Sequence, residues 1–441
     1  MIRPIPLRQL GAYAAFAVPL SMAALPLYVY LPKYYADSTG TSLAAIGAVL
    51  LAARALDALQ DPWLGVLSDR WRRRTGSRLG LLSVCAPALA LSMLLTFAVR
   101  PRLPAVAWLA STLFAVYLFF SLASIAYLAH GAEIPADYRG RTRITATREA
   151  AGLIGVMAGA LLPDLLGARF GTRAGYAAYA WVFAAIACVA AWITRRGSPP
   201  APEPVEIAGE VPLSARQALA SAWSNRRFRK LLAVFALSGT AAAIPATLVL
   251  FFLQDVITAS VPPGGFLALY FACAAIGMPM WAAAAGRRGK ATIWLGAMAL
   301  SVAAFVWAAT LGAGSEIAFG IICAATGLAL GADLALAPSL LADAIAARES
   351  RPGRMEGAYF GLWTLVTKAN LGLAAGLALP LVGALGYVPG HGAGSGATAL
   401  RLVYAGLPCA IRLAALAVLW RWRDELDGGP GSAATQGAQR C

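Results

Sequence analysis

Long apolar runs recur along the chain, each broken by a short connection rich in arginine, glycine or proline. A helix needs about 20 consecutive apolar residues to cross the hydrocarbon core of a membrane. Runs of that length lie near residues 8–34, 43–68, 79–99, 104–133, 147–167 and 174–195, and again near 229–256, 264–286, 291–312, 316–346, 356–387 and 399–421. The pattern predicts an all-α membrane protein with twelve transmembrane helices. Between the sixth and seventh runs, Gly197–Ser214 reads "GSPPAPEPVEIAGEVPLS", whose prolines, glutamates and small residues suit a flexible linker. The next stretch, Arg216–Lys230 ("RQALASAWSNRRFRK"), is expected as a basic helix on the membrane surface. The expected organisation is an N-terminal six-helix bundle over 1–196, a linker with its surface helix over 197–228, and a C-terminal six-helix bundle with a short tail over 229–441.

Composition sharpens this picture. Of the 441 residues, 60% are hydrophobic and 13% charged, about half the charged fraction of a soluble domain. The 44 glycines suit close helix–helix approach in lipid. The six cysteines are scattered singly and the two histidines, His130 and His391, are far apart, so no metal site or disulfide framework is expected. No nucleophile–base pair, metal-ligand cluster or phosphate loop stands out, which argues against an enzyme, and no cofactor is expected. The net charge of +16 does not indicate nucleic acid, because the basic residues cluster between apolar runs as topology determinants do. The termini and even-numbered connections hold 26 Lys and Arg, the odd-numbered connections 6. That bias places both termini and the linker in the cytoplasm, in a bacterial-type inner membrane. The first apolar run is too long for a cleavable signal.

Four basic residues remain inside the runs: Arg54, Arg148, Lys368 and Arg412. Arg54 opens "RALDALQDPWLG", which also carries Asp57 and Asp61. At about 1.5 Å of rise per residue, Asp61 lies roughly 12 Å and Asp57 roughly 18 Å from the run's charged end at Asp69, close to the bilayer midplane. The i, i+4 spacing puts both carboxylates on one face, with Arg54 one turn away. Pro62 has no N–H to offer the Ala58 carbonyl, which adds an oxygen to the same region. Hard oxygen ligands suit a small cation or a proton. A purely structural cluster neutralised by Arg54 is the alternative, at a high cost in lipid. Asp333 in the tenth run and Lys368 in the eleventh are also deep, so both halves hold midplane charge, as alternating-access transporters do. Lys368, Arg54 and Asp333 are expected to act as charge partners in coupling.

These residues resemble a known group. "GVLSDRWRRR", Gly65–Arg74, is similar to the loop motif of the major facilitator superfamily between its second and third spans, with "GRRGK" (286–290) as an echo. Its sense is a charged conformational latch, assigned to Gly65, Asp69, Arg70 and Arg73. "YYADSTGTS" with "ARALDALQDPWLGVLSDR", "YLAHGAEIPADYRGRTRITATRE" and "LADAIAARESRPGRMEGAYFGLWTLVTKANLG" resemble the glycoside–pentoside–hexuronide:cation symporters, the group of melibiose permease. The resemblance implies cation binding by Asp57, Asp61 and Ser121, a coupling lysine at Lys368, and a site arginine at Arg148. It also exposes departures: the first run has no acid, the sugar-binding acid position of the fourth is Ser124, and the nearby tryptophan position is Leu128. The remaining pocket candidates are Arg148, Ser124, Tyr117, Tyr127, Trp363 and Asn370, with Tyr28 and Tyr30 on the first run.

The resulting expectation is a secondary active transporter, a Na⁺- or H⁺-coupled symporter of a small organic solute, with a sugar or glycoside as candidate. The alternatives are a proton-coupled exporter or a lysolipid or amphiphile transporter of the same fold. A non-transporting receptor has little need of the aspartate pair. The expected partners are the solute, the coupling cation and membrane lipid, with no nucleic acid, and the chain is expected to act as a monomer.

Overall fold

The computed structural model describes residues 5–99, 103–134, 138–200, 215–346, 356–390 and 395–427. Among them all regular structure is helical. Twelve helices are long and apolar enough to cross a membrane: Leu7–Thr39, Leu43–Thr75, Leu79–Phe97, Ala105–Gly131, Thr147–Phe170 and Thr172–Gly197, then Arg226–Ile257, Pro263–Arg288, Lys290–Thr310, Glu316–Ile345, Ala358–Ala384 and Gly396–Asp427. They are numbered here as spans 1 to 12. The chain divides into two compact units, Met1–Ala208 with Pro262–Gly265, and Gly209–Val261 with Phe266–Cys441.

The two units share part of their internal order. In the first, span 1 packs on span 5, span 2 on span 4, and span 3 on spans 4 and 6. In the second, span 7 packs on spans 11 and 12, and span 9 on spans 10 and 12. Contacts 1–5, 3–6 and 3–4 are thus repeated as 7–11, 9–12 and 9–10, the pattern of two internal structural repeats.

Span 1 is interrupted twice, and other spans complete its hydrogen bonding. The regular hydrogen-bond ladder lapses at Ala15 and Phe16; the Ala12 carbonyl there accepts from Thr194 Oγ1 at 2.8 Å and the Tyr13 carbonyl from the Tyr127 hydroxyl at 3.1 Å. A π-helical turn follows at Pro26–Tyr30. Pro26 cannot donate to the Met22 carbonyl four residues earlier, and the Tyr179 hydroxyl does so instead at 2.8 Å. Without such donors each bare carbonyl in lipid costs several kcal/mol. Span 5 lies so close to this region that a Cβ on Gly159 would stand 2.7 Å from the Met22 carbonyl oxygen.

Several helices continue beyond the apolar runs. Span 2 runs seven residues past the expected end at 68, because Arg72–Arg74 favour the negative end of a helix dipole and Gly76, at φ 76°, supplies the left-handed cap. The basic stretch before span 7 is divided rather than continuous. One helix covers Ala215–Ser224, Asn225 leaves helical geometry and caps Phe228 N–H at 3.2 Å, and Arg226–Lys230 form the first turn of span 7. Ala222 of the short helix is buried in the second unit's core with Phe228, Trp294, Leu340 and Leu419. At the end of span 12, Asp427 caps span 9, accepting from Ala291 N–H at 2.7 Å and from Thr292 N–H at 3.1 Å. The linker residues 201–214 lie outside the described residues.

Candidate functional site

In the first unit, span 2 meets span 4 around a buried carboxylate. Asp57 is 1% exposed. Ser121 Oγ donates to its Oδ1 at 2.6 Å and Gln60 Nε2 donates to the same oxygen at 3.4 Å. Arg54 Nη1 stands 3.6 Å from Oδ2, an ion pair too long to be a hydrogen bond. The Arg54 guanidinium lies over the Tyr117 ring, 4.2 Å from its centroid, a cation–π contact. Helical spacing sets this convergence. Residues 54, 57 and 61 share a face of span 2, and 117 and 121 share a face of span 4. Asp61 is half-buried one turn beyond Asp57, and span 2 stays helical through Pro62. Tyr28 of span 1 lies within electrostatic reach of Arg54, whereas the Tyr30 hydroxyl is committed to the Ala160 carbonyl at 2.7 Å.

The charges of this group each have separate support, Asp57 from a hydroxyl and an amide and Arg54 from an aromatic face. A cation arriving at Asp57 would find hard oxygens from the carboxylate and from Ser121, with a positive side chain able to withdraw.

A second group lies nearer the end of the unit. Tyr13 stacks on Tyr127 with ring centroids 4.7 Å apart, and Arg148 lies within electrostatic reach of the Tyr13 hydroxyl. Arg148 also bonds Glu149, its Nη2 at 2.6 Å from Oε1. Ser124 is half-buried and Leu128 exposed. Tyr13 was absent from the sequence-derived candidates; only the chain path reveals it as the partner of Tyr127.

In the second unit, spans 7 and 11 form a seam. Trp363 stacks on Phe235 with centroids 3.7 Å apart and rings 19° from parallel. Asn370, 4% exposed, accepts from Thr240 Oγ1 at 3.1 Å and donates to the Phe235 carbonyl at 3.5 Å. Lys368 is half-buried on the same span. Asp333 is bound elsewhere. Arg412 Nη2 meets its Oδ2 at 2.6 Å, and Trp294 Nε1 and Ser238 Oγ donate to its Oδ1 at 2.6 and 3.2 Å. The structure thus pairs Asp333 with Arg412, the midspan cation of span 12.

The loop motif also has its own arrangement. Asp69 Oδ1 is held by Arg78 Nη2 at 2.6 Å. Arg78 also reaches Glu133 through Nε at 2.9 Å and Ser68 Oγ through Nη1 at 2.8 Å, while Arg72 Nη1 meets Glu133 at 2.7 Å. Arg70 and Arg73 are exposed and form no ion pair among the described residues. Gly65 is half-buried on span 2 with space around it for a Cβ.

A family profile for MFS/sugar transport proteins matches residues 12–423. Over 48 residues the chain is 44% identical to the inner membrane symporter YicJ of Escherichia coli (strain K12), a match spanning 11% of this chain and 10% of the symporter. Among solved structures, the chain is similar to a bacterial homolog to the human lysosomal transporter Spinster, inward-facing and unoccupied, with TM-score 0.74 and 15% identity over 96% of this chain and 98% of that one. It is also similar to the nucleoside transporter NupG, with TM-score 0.67 and 13% identity over 94% and 99%. For the POT family transporter PepTSo the TM-score is 0.67 and the identity 12%, over 96% and 99%. At these identities the structural likeness speaks for the fold alone.

Proposed function

The chain belongs to the MFS/sugar transport protein family, and from that premise we propose that it is a symporter coupling Na⁺ or H⁺ to a small organic solute by alternating access. As a major facilitator transporter it is an integral membrane protein and not an enzyme. The observation that carries the proposal is the Asp57 carboxylate, 1% exposed on a membrane span, hydrogen-bonded by Ser121 and with Arg54 Nη1 at 3.6 Å. A carboxylate buried this deeply on a membrane span is costly to keep, which marks it as functional. A carboxylate that must accept and release a cation needs a partner it can exchange. Asp57, Asp61 and Ser121 are the proposed cation ligands, Arg54 the internal competitor, and Lys368 a coupling charge of the second unit.

The proposed solute contacts are Arg148, Ser124, Tyr117 and Tyr127 in the first unit, and Trp363 and Asn370 in the second. Sugar hydroxyls are gripped best by carboxylates, and span 1 offers none from Leu7 to Tyr35. That absence and the aromatic character of the candidate residues favour a second reading, an amphiphile such as a lysolipid, through the same cation cycle. The 26-to-6 distribution of Lys and Arg supports cytoplasmic termini.

The test is uptake into proteoliposomes from a panel of radiolabelled glycosides and lysolipids, with Na⁺ and pH gradients imposed one at a time. One gradient is expected to drive at least one probe above its equilibrium level. Accumulation indifferent to both gradients across the panel would defeat the symport reading.

A further inference from the structure

Behind the seam of spans 7 and 11 lies a second polar group, buried among spans 7, 9, 10 and 12. Arg412, 5% exposed, reaches Asp333 at 2.6 Å and the Ser238 carbonyl at 3.1 Å, and it also bonds the Ser238 hydroxyl. Trp294 Nε1 closes the group on Asp333 at 2.6 Å. Two residues after Ser238, Thr240 donates to Asn370 at 3.1 Å. Between them Gly239 leaves room for the Asn370 amide, which a Cβ there would strike. Phe235, one turn earlier on span 7, carries the Trp363 stack and accepts from Asn370. Span 7 is therefore gripped on one side by a charged pair and on the other by Asn370 and Trp363.

We propose that Arg412, acting with Asp333, is a positioning residue for the solute site: by fixing Ser238 it sets the rotation of span 7, and so the placement of Asn370 and Trp363 on span 11. The proposal rests on the reading that the seam lines the solute path. The geometry favours positioning over packing alone, because Arg412 spends two bonds on Ser238 in addition to its pair with Asp333. Charge-assisted hydrogen bonds on one face fix a helix's rotation through their directionality, which apolar contacts lack. A buried pair serving stability alone is replaceable by apolar residues of similar volume at little cost or with a gain. A pair that holds Ser238 is not.

The test uses full-length protein with the native cysteines replaced by alanine and Asn370→Cys introduced as a reporter. The introduced thiol, in the otherwise intact seam, is expected to react slowly with N-ethylmaleimide. Asp333→Leu with Arg412→Met is expected to speed that reaction at least tenfold while the protein stays monodisperse in detergent. Arg412→Lys, which keeps the charge, is expected to restore slow labelling in part. Ser238→Ala, which removes only the hydroxyl between the pair and span 7, is expected to speed labelling about threefold and serves if the double variant does not fold. Unchanged labelling in both the double variant and Ser238→Ala would overturn the proposal, as would fast labelling with the pair intact. The seam's part in solute recognition is read separately, from the KM of Asn370→Ala. Faster labelling with an unaltered KM there would keep the positioning role and refute the pocket reading.

Discussion

Removing the internal competitor should tighten cation binding and slow turnover. Arg54 Nη1 lies 3.6 Å from Asp57 Oδ2. At an effective dielectric constant of about 20, charges at that separation attract by about 4–5 kcal/mol. Arg54→Gln removes this attraction while keeping a polar side chain of similar reach. Local relaxation and entering water recover part of the difference, leaving about 1.5–3 kcal/mol, or roughly ten- to hundredfold in affinity. The half-saturating cation concentration for uptake of the solute identified by the proteoliposome panel is therefore expected to fall by that factor. Maximal rate should fall with it, because the cation leaves more slowly. Arg54→Lys keeps a charge beside the Tyr117 face and should stay near wild type. A half-saturating concentration that is unchanged or higher in Arg54→Gln would refute the competitor role.

Other outcomes follow from the same geometry. Ser121→Ala removes the 2.6 Å hydrogen bond to Asp57 and should weaken cation activation of uptake about tenfold without loss of folded protein. Gly159→Leu drives a side chain into the Met22 carbonyl and should cost about 1–3 kcal/mol or more, read as a lower thermal midpoint in detergent; a wild-type midpoint would contradict the close approach of spans 1 and 5. Asp427→Ala takes the cap from span 9 and should cost about 0.5–2 kcal/mol by the same measurement. Arg78→Gln, which breaks contacts with Asp69, Glu133 and Ser68, should lower the midpoint, whereas Arg70→Gln and Arg73→Gln should leave it within error.

The twelve spans were legible because lipid demands one kind of element of one minimum length, and long apolar runs state it directly. Their ends were less so. Span 2 continues to Thr75 under the pull of its arginines on the helix dipole, and the stretch before span 7 breaks at Asn225 through a side-chain cap that apolarity cannot reveal. Asp57 and Asp61 stood out since charge in lipid is rare and helical spacing fixes their shared face. Ser121 is marked only by the family resemblance, and Gln60, within the same motif, carries no such signal because its amide is neutral. The pairing of Asp333 with Arg412 was beyond reach. Each is visible as a deep charge, but they are 79 residues apart, and only the packing of both spans on spans 7 and 9 shows that they meet. Arg78 was hidden in a crowd of arginines, and the turn at Gly76 decides which of them faces Asp69.

The central claim is that Asp57 and Asp61 hold the travelling cation. It is tested most directly by charge displacement on a solid-supported membrane after a jump in Na⁺ or H⁺, with no solute present. Wild-type protein should give a saturable transient for one of the two cations, and Asp57→Asn and Asp61→Asn, inserted at equal density, should abolish it. Transients of equal size in all three proteins would contradict the account.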